Sequence, residues 1–167
     1  LAPTSSTTMA LVIGDAIAIT LLKMRGFKKS NFLKFHPGGN IGKDLTKLSD
    51  IMHGSKELPI AKNNEKMSSA LLKMTNKSFG CVGVVDKTKK LIGIITDGDL
   101  RRNMDKSIIS KKTDEVMTKK PLFVNKNTLV GEAINIMNAN KITSLFICEN
   151  MKPVGIVHIH DLLRLSN

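Results

Sequence analysis

Apolar residues recur with a helical period in two stretches of the chain. They stand at positions i, i+3, i+4 and i+7 from Met67 to Met74, and the same spacing returns from Val130 to Met137. This pattern predicts two helices, each with one buried face. Each helix is followed by a short β-rich run, a tight polar turn and a second β-rich run, which read CVGVV, DKTKK, LIGII and then SLFIC, ENMK, PVGIV. These runs predict two hairpins.

The two hairpins belong to a longer internal repeat. GIITDGDLRR at residues 93–102 and GIVHIHDLLR at residues 155–164 are nearly the same ten residues, 62 positions apart. Each half also opens with a short extended piece, LPIA or PLFV, and closes with a short helix, which predicts a β-α-β-β-α unit present twice. Because so small a unit cannot bury both faces of a three-stranded sheet, we expect the copies to pack sheet edge to sheet edge.

The most apolar stretch, MALVIGDAIAITLL, lies near the start of the sequence. It has 14 residues with Asp15 in its middle, whereas a membrane span needs about 20 residues, and it lacks the flanks of a secretory signal. We expect a helix buried on most sides, capped by the Ser/Thr cluster after Pro3 and ending at Gly26. Since the rest of the chain offers such a helix few partners, the chain is expected to begin inside a larger protein.

Composition narrows the classes of function. A chain of 167 residues with 41% apolar and 24% charged residues is typical of a globular protein. The net charge of +12 suggests a polyanion, but most basic residues are scattered lysines and there is no Trp or Tyr to stack on bases, which argues against nucleic acid. Cys81 and Cys148 lie in apolar runs without CxxC spacing. Buried free thiols in a reducing cytoplasm are therefore favoured over a disulfide.

The duplicated unit, with a G-h-h-T-x-x-D sequence at the end of its last strand, resembles the tandem CBS domain pair over roughly residues 50 to 167. The resemblance implies an α/β (α+β) fold with CBS domains at 47–109 and 115–167, and a nucleotide or nucleotide sugar in the cleft between them. It places the Thr96 hydroxyl near phosphate or ribose and lets the Asp99 carboxylate accept from ribose hydroxyls. In the second copy His158 replaces the threonine, and Asp161 keeps the place of the aspartate.

Each of these residues also has a simpler explanation. Thr96 and Asp99 stand where a strand meets a helix start, so they could bind a phosphorylated ribose there or merely cap the helix. His158 could bind phosphate when protonated. His158 and His160 are spaced like metal ligands, but no third ligand is evident and hydrogen bonding at the strand end is preferred, so neither a metal nor another cofactor is predicted.

A second informative segment is FLKFHPGGNIGKDL, residues 32–45. Pro37 keeps His36 out of an α-helix, and the glycines let the backbone approach a ligand closely. Together with PTSSTTMALVIGDAIAITLLKMRGF before it and the CBS pair after it, the segment closely resembles the carboxyl-terminal two thirds of bacterial D-arabinose 5-phosphate isomerases. This family begins the synthesis of the lipopolysaccharide sugar Kdo from ribulose 5-phosphate.

That resemblance implies that residues 1–46 end a sugar isomerase (SIS) domain. His36 would be its active-site histidine, with Ser5, Thr7 and Thr8 near the phosphosugar substrate and the remaining catalytic groups upstream, so that the fragment alone is inactive. Because CBS pairs commonly meet as dimers and the apolar helix near the start needs burial, we expect a homo-oligomer, a tetramer in the full enzyme. The free cysteines favour the cytoplasm, and the composition and the short apolar run predict no nucleic-acid or membrane partner. The alternative is a CBS nucleotide sensor or scaffold attached to a different phosphosugar isomerase or binding domain, and the HPGG loop favours the isomerase.

Overall fold

The computed structural model of the protein describes residues 2–27, 31, 46–103 and 107–166. The chain divides into two compact units, Leu1–Leu45 and Thr46–Asn167. In the first unit, helix α1 (Thr4–Met24) ends where Gly26 takes a left-handed conformation with φ of 60°. This end agrees with the stop predicted at Gly26, because a left-handed residue after the last turn commonly ends a helix.

One expectation for α1 is wrong, namely the cap formed by the Ser/Thr cluster. The hydroxyls of Thr7 and Thr8 donate back to the carbonyl of Thr4 inside the helix, and Pro3 at the N-cap supplies no side-chain cap. The helix begins at Thr4, within the cluster expected to cap it, and has 21 residues, none of which is buried in the described part of the chain. By length and composition it could therefore cross a membrane, although core helices of soluble proteins pass the same test.

The second unit contains both copies of the β-α-β-β-α unit in the predicted order. The first copy consists of β1 (Ile60–Lys62), α2 (Met67–Lys77), β2 (Cys81–Val85), β3 (Leu91–Thr96) and α3 (Asp97–Arg102). Between the copies lie α4 (Thr113–Val116) and β4 (Thr118–Lys119). The second copy consists of β5 (Phe123–Val124), α5 (Val130–Asn140), β6 (Ser144–Glu149), β7 (Lys152–His158) and α6 (Ile159–Ser166).

The strands form two separate sheets. The first has the order β1-β2-β3-β4, in which β1 runs parallel to β2 and the other pairs are antiparallel. The second has the order β5-β6-β7 with the same parallel and antiparallel pairing. Strand β4 comes from the connection between the copies, and the sequence pattern did not predict it.

Each helix packs its periodic apolar face on one face of its own sheet. Met67, Ala70 and Met74 of α2 are buried against β2 and β3. The corresponding residues of α5 are buried against β6 and β7. The predicted helical faces are therefore confirmed.

The two sheets pack face to face, so the expected edge-to-edge arrangement is wrong. Side chains that alternate with the helix-facing ones on β2 and β6 join one buried cluster between the repeats, which we call the central cluster. Phe146 is fully buried there, and a Cβ on Gly83 would lie 2.8 Å from its Cζ atom, so glycine is needed opposite the ring. Cys81 and Cys148 belong to the same cluster as free thiols, and burial raises their pKa values to about 12 and about 11.

The repeats also exchange short segments. Leu48 precedes the first repeat, yet it is fully buried in the core of the second, and its N–H donates to the Thr128 carbonyl at 2.9 Å. Conversely, Thr113 follows the first repeat and is buried against it, with its hydroxyl donating to the Lys62 carbonyl at 2.6 Å. Each core therefore includes a segment from outside its own β-α-β-β-α unit.

Candidate functional site

A cavity of about 650 Å³ lies between the two repeats, and we call it the first cleft. Thr96 and Asp99, at the junction of β3 and α3, line one side, and residues 140–144 at the start of β6 line the other. The structure thus brings the two residues predicted in the first repeat to the same cavity. They lie there because β3 ends at this edge of the sheet and the chain turns directly into α3.

Four donors surround the Asp99 carboxylate. Its Oδ2 atom accepts from the Thr96 N–H at 2.8 Å and from the Thr96 hydroxyl at 2.7 Å. Its Oδ1 atom accepts from the Arg102 guanidinium at 2.7 Å and from the Thr118 hydroxyl at 2.8 Å. The Asp99 N–H donates to the Thr96 hydroxyl oxygen in return, which completes a capping box.

This hydrogen-bond network determines the pKa of the Asp99 carboxyl. Burial alone raises the pKa of the carboxyl, but the hydrogen bonds from Thr96, Thr118 and Arg102 outweigh it and lower the pKa below its ordinary value. The side chain is only 5% exposed, and a carboxylate offers about four acceptor positions. A ribose hydroxyl would therefore have to displace an internal donor. Arg102, whose side chain is 68% exposed, is the donor that can leave most easily.

The first cleft carries an excess of positive charge. Its lining includes two carboxylates, those of Asp97 and Asp99. Four basic side chains surround them, those of Arg101, Arg102, Lys120 and Lys141. Since Asp99 is already hydrogen-bonded, the remaining basic groups favour an anionic ligand such as a phosphate.

The corresponding place in the second repeat, which we call the second site, is built differently. Asp161 again accepts from the backbone N–H three residues before it, that of His158, at 3.1 Å. Its Oδ2 atom also contacts Nε2 of His53 at 3.0 Å, while Nδ1 of His53 contacts Glu57 at 2.5 Å. His53 therefore lies between two carboxylates, where a doubly protonated imidazolium can donate to both.

The pKa values of His53 and His158 are shifted in opposite directions at this place. Burial alone lowers the pKa of His53, but its contacts with Glu57 and Asp161 outweigh that and raise it. The pKa of His158 is lowered by burial and then by the neighbouring His160, against an opposing effect of Asp161. The backbone N–H of His160 donates to Nδ1 of His158 at 3.3 Å, which requires that nitrogen to be unprotonated. His158 is thus neutral near pH 7, which weakens its case as a phosphate ligand.

His53 of the second site is expected to make the stability of the protein depend on pH. Because its pKa is raised on folding, its stabilising contribution is complete below the unfolded value of about 6.5 and is lost as pH rises through the folded value. We expect His53→Gln to destabilise the protein more at about pH 6 than at about pH 8.5. Denaturant unfolding of both proteins at the two pH values measures this, with His158→Gln as the control, because the opposite pKa shift of His158 should reverse the trend. An equal loss at both pH values for His53→Gln would contradict the assignment.

A further repeated segment in the sequence marks the position of His53. KLSDIMH at residues 47–53 matches KTDEVMT at residues 112–118, which shows that the duplication extends ahead of each unit. His53 and Thr118 hold the same place in these segments, and each contacts the motif aspartate of the repeat on which its segment packs.

The remaining predicted site residues lie in the first unit. Ser5, Thr7 and Thr8 are exposed in the first turns of α1. His36 and its glycine-rich loop fall outside the described residues. Among the described residues, no group of three or more His, Cys, Asp or Glu side chains is arranged to hold a metal ion.

Nearly the whole chain is similar in sequence to known proteins. An arabinose 5-phosphate isomerase KdsD of Pseudomonas aeruginosa is 45% identical over 168 residues, and one of Yersinia pestis is 43% identical over 167 residues. An uncharacterized protein of Rickettsia prowazekii is 41% identical over 164 residues. Each match covers 98% of this chain but only 51 or 52% of the relative. The chain thus spans about half the length of these relatives, and not the two thirds expected from the sequence.

Solved structures and a family model agree with the fold. CBSX2 in complex with AMP aligns with a TM-score of 0.62 at 24% identity, covering 72% of this chain and 95% of that one. The CBS domain pair of protein MJ0100, in complex with 5′-methylthioadenosine and S-adenosyl-L-methionine, aligns with a TM-score of 0.64 at 24% identity and the same coverage. The CBS domain model matches residues 48–106 and 114–167. With both repeats matched and the paired fold in place, the chain belongs to the CBS domain family.

Proposed function

We propose that this chain is part of a D-arabinose 5-phosphate isomerase, which interconverts D-ribulose 5-phosphate and D-arabinose 5-phosphate for Kdo and lipopolysaccharide synthesis. The observation that carries the proposal is the identity of 42 to 45% with enzymes of that name over 98% of this chain. Because the match extends beyond the CBS pair into residues 1–45, it favours a shared isomerase over a CBS sensor joined to an unrelated domain. In this proposal residues 1–46 belong to the SIS domain.

The proposed chemistry assigns a role to His36. Aldose–ketose isomerisation moves a proton between C1 and C2 through an enediol, and the sugar ring must open first. An imidazole beside the substrate can carry the proton in either step, since its pKa lies near neutrality. Ser5, Thr7 and Thr8 would contact the phosphosugar. The other catalytic groups would lie outside this sequence.

The test is turnover of ribulose 5-phosphate by the complete protein. We expect His36→Ala to lower kcat by about 100-fold or more, as the loss of a general acid–base group does. The matched control is His160→Ala, which should leave turnover unchanged. The present chain alone should be inactive. Absence of turnover in the complete wild-type protein would overturn the isomerase, whereas normal turnover in His36→Ala would remove only His36 from the mechanism.

We further propose that the first cleft binds a nucleotide or nucleotide sugar that regulates the enzyme. The excess of basic side chains and the size of the cavity support an anionic ligand. CBS pairs of the same fold have been solved with AMP and with adenosine-based ligands, which supports a nucleotide. In the bound state Arg102 would exchange Asp99 for the phosphate, and the Asp99 Oδ1 atom would then accept from the ribose.

Removal of the Asp99 charge should weaken that binding. A lost hydrogen bond to a charged group is worth about 1–3 kcal/mol, so Asp99→Asn should lower affinity by about 5- to 150-fold. Calorimetric titration with AMP, ATP, CMP and a CMP-linked sugar acid measures it, with the exposed Asp114→Asn as the control. If none of the four binds to the wild type, Thr96 and Asp99 serve only as a helix cap.

The same proposal includes the assembly and the location of the complete protein. The apolar surface of α1 is exposed along the whole helix in this chain, which supports burial in a homo-oligomer, a tetramer in the full enzyme. Two buried free thiols support a reducing compartment, the cytoplasm.

A further inference from the structure

A second cavity, of about 680 Å³, lies at the opposite end of strand β2 from the first cleft. Cys81 at the start of β2 lines the first cleft, whereas Val85 at its end lines this cavity. Ile60 of β1 and Pro153 of the second repeat add to its apolar lining. Its volume is in the range of small-molecule sites, which combine apolar walls with a few polar groups. We call it the lysine cavity, after the four lysines that line it, Lys62, Lys73, Lys87 and Lys89.

The positive charge of the lysine cavity is only partly compensated. The ammonium of Lys73 pairs with Glu65 at 2.7 Å. Asp86, whose carboxylate also lines the cavity, accepts from the backbone N–H groups of Thr88 and Lys90 and is therefore held by its own turn. The ammonium groups of the other three lysines form no ion pair with any residue that the structure describes.

The second repeat provides an internal comparison. Lys126 and Glu149 hold the places that Asn63 and Asp86 hold in the first repeat, 63 positions earlier. There the Lys126 ammonium and the Glu149 carboxylate form an ion pair at 2.7 Å, so the second repeat neutralises this position internally. In the first repeat Asn63 has no charge to pair with Asp86, so the Asp86 carboxylate adds one negative charge to the cavity. The cavity remains positive because Lys62, Lys87 and Lys89 form no ion pair with any described residue.

We propose that the lysine cavity binds a small phosphorylated organic anion with an apolar body. The apolar walls formed by Ile60, Val85 and Pro153 take the body, and the ammonium groups of Lys62, Lys87 and Lys89 take the phosphate. Lysine suits this role because its flexible stem carries a compact charge to a phosphate without the fixed geometry that arginine requires. The site is separate from the first cleft, so both can be occupied together.

The test uses 1-naphthyl phosphate as the probe in an NMR titration of the full chain. We expect saturable shifts in the amides of residues 60–64 and 85–89, with weaker binding of both inorganic phosphate, which lacks the apolar body, and 1-naphthol, which lacks the charge. The double variant Lys87→Gln, Lys89→Gln should weaken the probe by about tenfold or more. Lys152→Gln, an exposed lysine of the second hairpin, is the matched control and should leave the affinity unchanged.

Three results would overturn this site. They are shifts confined to the first cleft, an affinity that the double variant does not change, and binding of inorganic phosphate as tight as that of the probe. Because the double variant alters only side chains in an exposed turn, its folding can be verified from an otherwise unchanged spectrum. Loss of binding with that spectrum intact supports the proposal.

Discussion

Replacement of Phe146 by alanine is expected to lower the free energy of unfolding by about 3–5 kcal/mol. The ring is fully buried in the central cluster, where it faces Gly83 across the two sheets. Its removal leaves a cavity that glycine cannot fill and that the paired strands cannot close without breaking their register. Urea unfolding at neutral pH measures the loss.

The matched control for Phe146→Ala is Leu72→Ala. Leu72 lies on the outer side of α2 and is 66% exposed, so its truncation should change stability by no more than about 0.5 kcal/mol. A loss below about 1 kcal/mol for Phe146→Ala would mean that the repeats do not depend on the central cluster for their stability.

Leu48→Ala is expected to lower the free energy of unfolding by about 2–5 kcal/mol, and the second repeat should be destabilised first. Leu48 is fully buried among Val130, Ala133 and Leu145, although it precedes the first repeat in sequence. Amide hydrogen exchange should therefore accelerate in α5 and β6 before it accelerates in α2 and β2.

Ile109→Ala is the control for Leu48→Ala, because Ile109 is 56% exposed and lies in the connection between the repeats. Faster exchange confined to the first repeat would show that residues 46–53 do not complete the second core in solution.

Local patterns predicted most of the second unit. The helices α2 and α5 are predictable because their buried residues recur every three or four positions, as they must when a helix packs one apolar face on a sheet. The hairpins were found because polar turns interrupt short β-rich runs. The order of elements and the CBS pairing follow from the duplication of these signals.

The packing of one repeat on the other depends on contacts that no local pattern contains. Strands β2 and β6 are apolar on both faces, and such runs do not reveal whether the second face meets another sheet or another edge. The pairing of Gly83 with Phe146 joins residues that occupy the same place in the two copies, 63 positions apart. The burial of Leu48 in the second repeat and of Thr113 against the first likewise depends on the path that the connecting segments take in space.

Only part of each candidate site could be predicted, because the rest depends on contacts between residues that are distant in sequence. Thr96 and Asp99 were accessible to sequence reasoning because the repeated motif marks the end of β3. The four-donor network on Asp99 was not, since Thr118 reaches it from 19 positions away. His53 was missed because its partner Asp161 is 108 positions distant. The start of α1 could not be placed from the sequence, because hydroxyl residues favour N-cap positions but also occur inside the first turn of this helix.

The two cysteines of the central cluster provide a chemical reporter of contact between the repeats. A thiol with a pKa of about 11 or 12 has almost no thiolate at neutral pH, and burial denies alkylating reagents access to it. Cys81 comes from the first repeat and also borders the first cleft, whereas Cys148 comes from the second repeat and lies inside the central cluster. A reagent such as iodoacetamide therefore reaches Cys148 when the central cluster opens, and it can reach Cys81 also through a local opening at the cleft. The rate of Cys148 alkylation measures how often the two repeats part, without any introduced label, and the rate at Cys81 is the internal comparison.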